Sequence, residues 1–169
     1  MAQTYLDQIV RYPAEVIRLI GEDKYCVGLL TNKPFDSVTD DDKESAYDKM
    51  FTYQYVNSTT TEVCAYVFCE IEIPRVENRT IKDVALYVTI ACHKDYMQLD
   101  RKVFKGVIGN RRDNLVRFID RLLNFSDIFG IGALSLRAVR TGTLSDKFTI
   151  RELEYRVPEF NMRSLEEVT

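Results

Sequence analysis

Four cysteines and one histidine are the first residues to consider for chemistry: Cys26 stands apart, while Cys64, Cys69, Cys92 and His93 fall close enough to suggest a zinc set. Their spacing argues against it. Cys64 and Cys69 are an odd number of residues apart in an alternating stretch, so they point to opposite faces of a strand, and Cys92 and His93 are adjacent and also opposed. Structural zinc sites place paired ligands two to four residues apart on a tight turn. The expectation is that the cysteines are small apolar core residues with free thiols. His93, as the sole histidine, would have to be the base of any hydrolytic triad, yet no Gly-x-Ser-x-Gly elbow accompanies it. A P-loop is missing, and Gly130-Ile131-Gly132 lacks the third glycine of a dinucleotide fingerprint. Carboxylates offer one more route: Glu70 and Glu72 share a strand face, Asp83 follows, and Asp40, Asp41 and Asp42 form a run, so a metal-dependent nuclease is an alternative reading. The simpler reading is a solvated or interface face and an acidic loop. No catalytic, cofactor-binding or metal residue is assigned, and the chain is expected not to be an enzyme.

Charge distribution says more than any of these motifs. The 169 residues carry 23 basic and 26 acidic side chains, a net charge of −3 that argues against a protein simply coating nucleic acid. That value is a near-cancellation. Arg101, Lys102, Lys105, Arg111, Arg112, Arg117 and Arg121 crowd one stretch with only Asp113 and Asp120 against them, and Arg137, Arg140, Lys147, Arg151 and Arg156 follow; residues 36–48 are acidic. Opposite signs on separate parts of one chain suit head-to-tail packing of identical subunits.

The elements that must position these residues can be read from periodicity. Thr4 is a candidate cap for a helix carrying Tyr5, Leu6, Ile9 and Val10; Pro13 predicts either two short helices or one kinked at Tyr12-Pro13, with Gly21 as the stop after Val16, Ile17, Leu19 and Ile20. Residues 32–58 read as a long acidic loop, with the alternating Phe51, Tyr53 and Tyr55 near its end. Val63–Ile73 alternates, with Ala65, Val67, Cys69, Ile71 and Ile73 on one face and Cys64, Tyr66, Phe68, Glu70 and Glu72 on the other. Val84–Cys92 alternates with Val84, Leu86, Val88, Ile90 and Cys92 inward. The short polar connection 74–79 predicts an antiparallel pair. Asn110 caps a helix over 111–124 with a buried stripe of Leu115, Phe118, Ile119, Leu122 and Leu123, leaving Arg111, Arg112, Arg117, Asp120 and Arg121 outside it. Strands at 134–140 and 148–157 close the domain; the second changes phase between Ile150 and Leu153, which predicts a bulge near Arg151-Glu152. The result is one α+β domain over 1–160, a mainly antiparallel sheet of two hairpins packed against helices in the order α-loop-β-β-α-β-β, followed by a tail at 161–169. No basic-then-apolar leader and no run of about 20 apolar residues is present, so residence in a reducing cytosol without membrane insertion is expected.

This layout resembles the tail terminator and neck (head–tail completion) proteins of tailed bacteriophages. The likeness is carried by Val84–His93, by Arg111–Asn124, by Phe129-Gly130-Ile131-Gly132-Ala133-Leu134 before a strand, and by the closing stretch Phe148–Phe160, over roughly residues 62–160. The resemblance implies a structural virion protein, assembled in the host cytoplasm and resident in the tail or neck. Its subunits would form a homohexameric ring that caps the tail tube, ends its growth and meets the head-side connector protein, with DNA passing through the lumen without specific binding. The tail tube protein, the connector and a sheath protein are the implied partners; no cofactor and no membrane are implied. In such a ring Arg111, Arg112, Arg117 and Arg121 would pair with Asp40, Asp41 and Asp42 of an adjacent subunit. A cytosolic adaptor domain that binds one partner through the acidic segment is a further alternative.

Overall fold

The computed structural model describes residues 5–77, 80–129 and 132–157, with side chains except at 5–9 and 75–83. The fold is α+β: four α-helices on one face of a five-stranded, mostly antiparallel sheet. Helix α1 spans Tyr5–Glu22 and runs through Pro13 as a single element. Gly21 does not stop it. Its missing side chain admits the Tyr47 ring instead, since a Cβ there would collide with that ring.

Helix α2, Lys24–Thr31, has no counterpart in the sequence expectation. Cys26 to Leu30 are all buried, so an eight-residue helix apolar on every side shows no amphipathic period. Its ends are well defined. Asp23 accepts from the amides of Tyr25 (3.0 Å) and Cys26 (2.9 Å), and Asn32 takes a left-handed conformation at φ 58° that turns the chain back on itself.

The expected loop at 32–58 is largely built structure. It holds a 3₁₀ turn at Phe35–Ser37, helix α3 at Asp40–Tyr47 and strand β1 at Met50–Phe51, which pairs in parallel with the next strand. Helix α3 starts with a capping box: the Thr39 hydroxyl accepts from the Asp42 amide (3.3 Å) while the Asp42 carboxylate accepts from the Thr39 amide (3.0 Å). The aspartates that suggested a mobile loop are the first turn of a helix, where they complement the positive end of the helix dipole.

Strands β2 (Ala65–Glu77) and β3 (Thr80–His93) form a long hairpin, reaching further than the alternation alone indicated. Pro74 to Glu77 belong to β2, after a register irregularity between Glu72 and Arg75 that suits a proline lacking a ladder donor. After a 3₁₀ turn at Lys94–Tyr96 and a glycine-punctuated segment comes helix α4, Arg111–Leu123, with Asn110 as N-cap to the Asp113 amide at 2.8 Å. Strands β4 (Ser135–Thr143) and β5 (Phe148–Val157) complete the sheet in the order β1-β2-β3-β5-β4. Thr4, Asn78, Arg79, Gly130, Ile131 and the residues from Pro158, including the expected 161–169 tail, lie outside the described residues.

The expected bulge in β5 is absent. Its register against β3 runs without a shift from Val84↔Val157 to His93↔Phe148, and the irregularity falls in β4, between Leu136 and Ala138. The phase change has another cause. Leu153, Tyr155 and Val157 face the helices, whereas Phe148 and Ile150 face the opposite side, where a second, smaller core has formed. That second core joins Val56, Cys64, Tyr66, Phe68, Ala91 and Phe148, with Phe51, Leu144 and Ile150 packed against it. The main core lies between sheet and helices and includes Val16, Ile20, Leu29, Leu115, Ile119, Leu86 and Ile90, all fully buried.

Gly28 packs against main chain as well as a ring: a Cβ there would come within 2.8 Å of the Lys33 carbonyl and of the Phe35 ring. Gly28→Ala should therefore destabilise the protein by about 1–3 kcal/mol through overpacking, read as a lowered urea midpoint with an unchanged slope. Ala46, buried on α3 and subject to no such restriction, serves as the comparison: Ala46→Gly should cost about 1 kcal/mol from helix propensity.

Candidate functional site

The charged residues singled out by the sequence fall into three environments. Arg111 and Arg112 were expected outside the buried stripe of α4, and both are buried. Arg111 donates from Nε to the Tyr96 carbonyl (2.9 Å), from one terminal nitrogen to the Leu29 carbonyl, and from the other to Asn32 Oδ1 (2.7 Å); its guanidinium lies 3.8 Å above the Tyr96 ring. Its own amide donates to the Met97 carbonyl (2.8 Å). The side chain is consumed in fastening the end of α2 to the start of α4. Arg112 pairs with Asp113 at 3.2 Å, and Arg151 reaches the same carboxylate at 3.1 Å from the sheet.

Arg117 and Arg121 remain exposed on the helical layer. The Arg117 guanidinium sits 4.7 Å from the Phe118 ring centre; that of Arg121 sits 5.0 Å from the same ring and 4.8 Å from Tyr25. Stacking holds both side chains extended without neutralising them. Among the described residues Arg121 pairs with Asp23, at 3.9 Å. Lys102 and Lys105 border a neighbouring depression beside Phe35 and Phe104.

The acidic run is far less available than its composition suggested. Asp42 is engaged by Thr39, whose amide holds the carboxyl below its ordinary value, and it faces Lys33 at 3.9 Å. Asp40 pairs with Lys43 at 3.4 Å, and Lys43 also holds Glu22 at 2.9 Å. Asp41 is exposed and has no ion pair among the described residues. The structure does not bring Asp40–Asp42 together with Glu70 and Glu72: the run belongs to the helical layer, the pair to the far side of the sheet.

That far side carries a feature the sequence reading missed. The second core occupies one half of it. The other half holds Glu70 and Glu72 on β2, Tyr87 on β3, Glu152, Glu154 and Arg156 on β5 and Arg140 on β4, around a depression of about 430 Å³. Arg140 bonds Glu152 (3.1 Å) and Glu154 (2.6 Å), and Arg156 bonds Glu154 (2.8 Å), so these two basic residues are neutralised within the chain. Hairpin alternation was the available signal, because Arg140 stands opposite Glu152 in the register. Glu70 and Glu72 are exposed and make no ion pair among the described residues.

The cysteines behave as core. Cys64 sits in the outer cluster and Cys69 in the main one, on opposite faces of β2. Desolvation pushes every thiol up, Cys92 to about 12, which leaves no reactive thiolate near neutral pH. His93 is buried, accepts the Asp95 amide on Nδ1 at 3.1 Å and meets Phe148 edge-on, so it closes the strand end. No group of three His, Cys, Asp or Glu side chains able to hold a metal ion occurs among the described residues.

Two expectations follow. Arg111→Met should destabilise the fold by roughly 3–5 kcal/mol, because the carbonyls of Leu29 and Tyr96 and the Asn32 amide lose their donors in a buried place. Arg111→Lys should recover little of it, since an ammonium cannot reproduce the fork; Arg117→Ala should change stability by less than about 0.5 kcal/mol. Urea unfolding of the three variants measures this. The second concerns pH. Arg140 and then Arg156 hold the Glu154 carboxyl below its ordinary 4.5. A carboxyl depressed by folding stabilises the native state above its unfolded value, and that contribution disappears as pH falls through the folded value. Glu154→Gln should therefore be less stable than the parent near pH 7, with the gap closing below about pH 4.

No curated protein and no solved structure matches this chain. No helix among the described residues is long and apolar enough to cross a membrane. A family model does match, over residues 16–157, from the middle of α1 to the last described residue of β5, so that both hairpins, α4 and the outer sheet face fall inside it. On that match the chain belongs to the YomW family, a phage-derived family, and is a phage-related protein.

Proposed function

We propose that the chain is a structural, non-enzymatic virion protein of the tail terminator or neck type, a subunit of a homohexameric ring at the head–tail junction that ends tail-tube growth and joins the tail to the head-side connector. The observation that carries this reading is the two-layer domain with helices on one sheet face only. The opposite face is partly sealed by its own small core and otherwise open and charged around a shallow depression. An uncovered face of this kind suits burial against a neighbour, and membership of a phage-derived family supplies the context.

In this ring the basic contribution comes from Arg117 and Arg121. Arg111 and Arg112 act inside the subunit and take no part in the contact. Within the acidic run Asp40 and Asp42 are engaged locally, which leaves that run little to offer a neighbour. The tail tube protein and the connector would meet the two ends of the ring, a sheath protein its outside, and DNA would pass through the lumen without base-specific contact.

Electron microscopy of the purified chain, alone and mixed with tail tubes, tests the reading. Rings with a central channel, in solution or seated on tube ends, are the expected result. A particle that stays monomeric alone and leaves tube ends bare overturns it. Because rim charges act through solvent, sedimentation should show weaker association in high salt than in low salt.

A further inference from the structure

The two sides of the domain differ in sign, and this specifies how copies would meet. On the helical side, Arg117 and Arg121 are held extended over Phe118 and Tyr25, with Lys102 and Lys105 beside Phe35 and Phe104. Acidic residues near them among the described residues include Asp23, at 3.9 Å from Arg121, Asp36, already bonded to Lys24 at 2.7 Å, Asp100, which accepts from the Lys102 amide, and on α4 itself Asp120, which accepts from the Tyr155 hydroxyl at 3.0 Å. The open half of the sheet's outer face presents Glu70 and Glu72 beside Glu152, with Glu154 buried beneath them, and among the described residues its cations Arg140 and Arg156 are already spent on Glu152 and Glu154. That surface keeps a surplus of carboxylate. Among the described residues no helix covers it, and on β3 the small Ala85 and the polar Thr89 flank Tyr87 there.

We infer that the open half of the outer sheet face, centred on Glu70, Glu72 and Tyr87, is the docking surface for the Arg117–Arg121 side of a second copy of this chain. The inference rests on the ring reading and deepens it by naming both halves of the contact. Charge complementarity selects the occupant. The acidic run of α3 is the poorer complement, since Thr39, Lys33 and Lys43 already occupy Asp42 and Asp40. The two surfaces lie on opposite layers of one domain, so the contact is heterologous: each copy offers its helical side to one neighbour and its sheet side to the other, and repetition of one such contact closes a ring when its rotation allows. Tyr87, half-buried on β3 at the floor of the depression, offers an aromatic surface on which an arriving guanidinium can stack.

Charge reversal in the full-length chain tests this by sedimentation velocity at low salt. Glu70→Lys with Glu72→Lys, or Arg117→Glu with Arg121→Glu, should each weaken self-association by roughly a hundredfold, because like charges then face each other across the contact. The four substitutions combined should restore most of it. Asp40→Lys with Asp41→Lys should leave association within about threefold of the parent. Circular dichroism and urea melts check that each variant is folded, and all sites are exposed enough for folding to be retained. Assembly that is indifferent to Glu70→Lys with Glu72→Lys, or that fails to recover in the combined variant, overturns this contact while leaving the ring reading intact. A parent chain that does not self-associate at any salt overturns this contact, and the ring reading falls with it when tube ends also stay bare. Loss of association in the α3 variant in place of the sheet variant assigns the acidic half to Asp40 and Asp41 and also overturns the inference.

Discussion

The helical layer depends on one buried cation. Arg111 stands at the first position of α4 and is almost fully removed from solvent, yet among the described residues no carboxylate bonds to it. Its charge is met by two backbone carbonyls, a side-chain amide and the face of a tyrosine ring. The carbonyl of Leu29 and the amide of Asn32 belong to the end of α2, and the Tyr96 carbonyl belongs to the turn that leaves β3, so a single guanidinium fixes the point where helix, sheet exit and second helix converge. Dipoles in place of a counter-ion also fix geometry: an arginine fork accepts only partners set at its own angles, which defines where α2 must stop and where α4 must begin. Desolvation of that charge is costly, and the cost is tolerable only while all of its partners are present.

How much of this was legible in the sequence depends on period. Strands with a clean alternation, such as Val84–Cys92, and the amphipathic α4 were readable because one face is apolar and the other is not. Helix α2 was not, because Cys26, Val27, Leu29 and Leu30 are buried on every side and leave no polar stripe to set a phase. The acidic segment misled for a different reason. Asp40-Asp41-Asp42 reads as loop composition, but at a helix start those same residues are capping and dipole partners. Arg111 misled most of all: an arginine on the flank of an apolar stripe is ordinarily solvated, and nothing local reveals the carbonyls of Leu29 and Tyr96 that enclose it.

The phase change in β5 shows the same limit from the sheet side. Phe148 and Ile150 were read as out of step with Leu153, Tyr155 and Val157, as though the strand had slipped. The strand is regular, and it is the environment that switches. Near its start the outer face is covered by the segment that follows β1, with Phe51 stacked on Tyr55 at 4.3 Å; near its end the outer face is open and the inner face is buried by helices. Alternation reports which side is covered, so a strand that passes from one cover to the other looks broken in sequence while its hydrogen-bond ladder is intact. The candidate surface was hidden for the related reason that its charges come from three strands, β2, β4 and β5, and meet only once the hairpins are side by side.

The central pairing of the sheet joins β3 to β5, residues more than fifty positions apart, whereas each hairpin closes locally. As the chain leaves the ribosome, the first hairpin and α4 can form well before β5 exists, and in that interval the inner edge of β3 stays unpaired. Glu70 and Glu72 lie on the first hairpin and Arg140 and Glu152 on the second, so the charged outer face is whole only after the last strand has docked. A chain that stops before β5 therefore lacks the whole charged face on which the proposed contact rests. In that proposal the order of strands serves as a check on completeness, since the face exists only once the second hairpin has docked on the first.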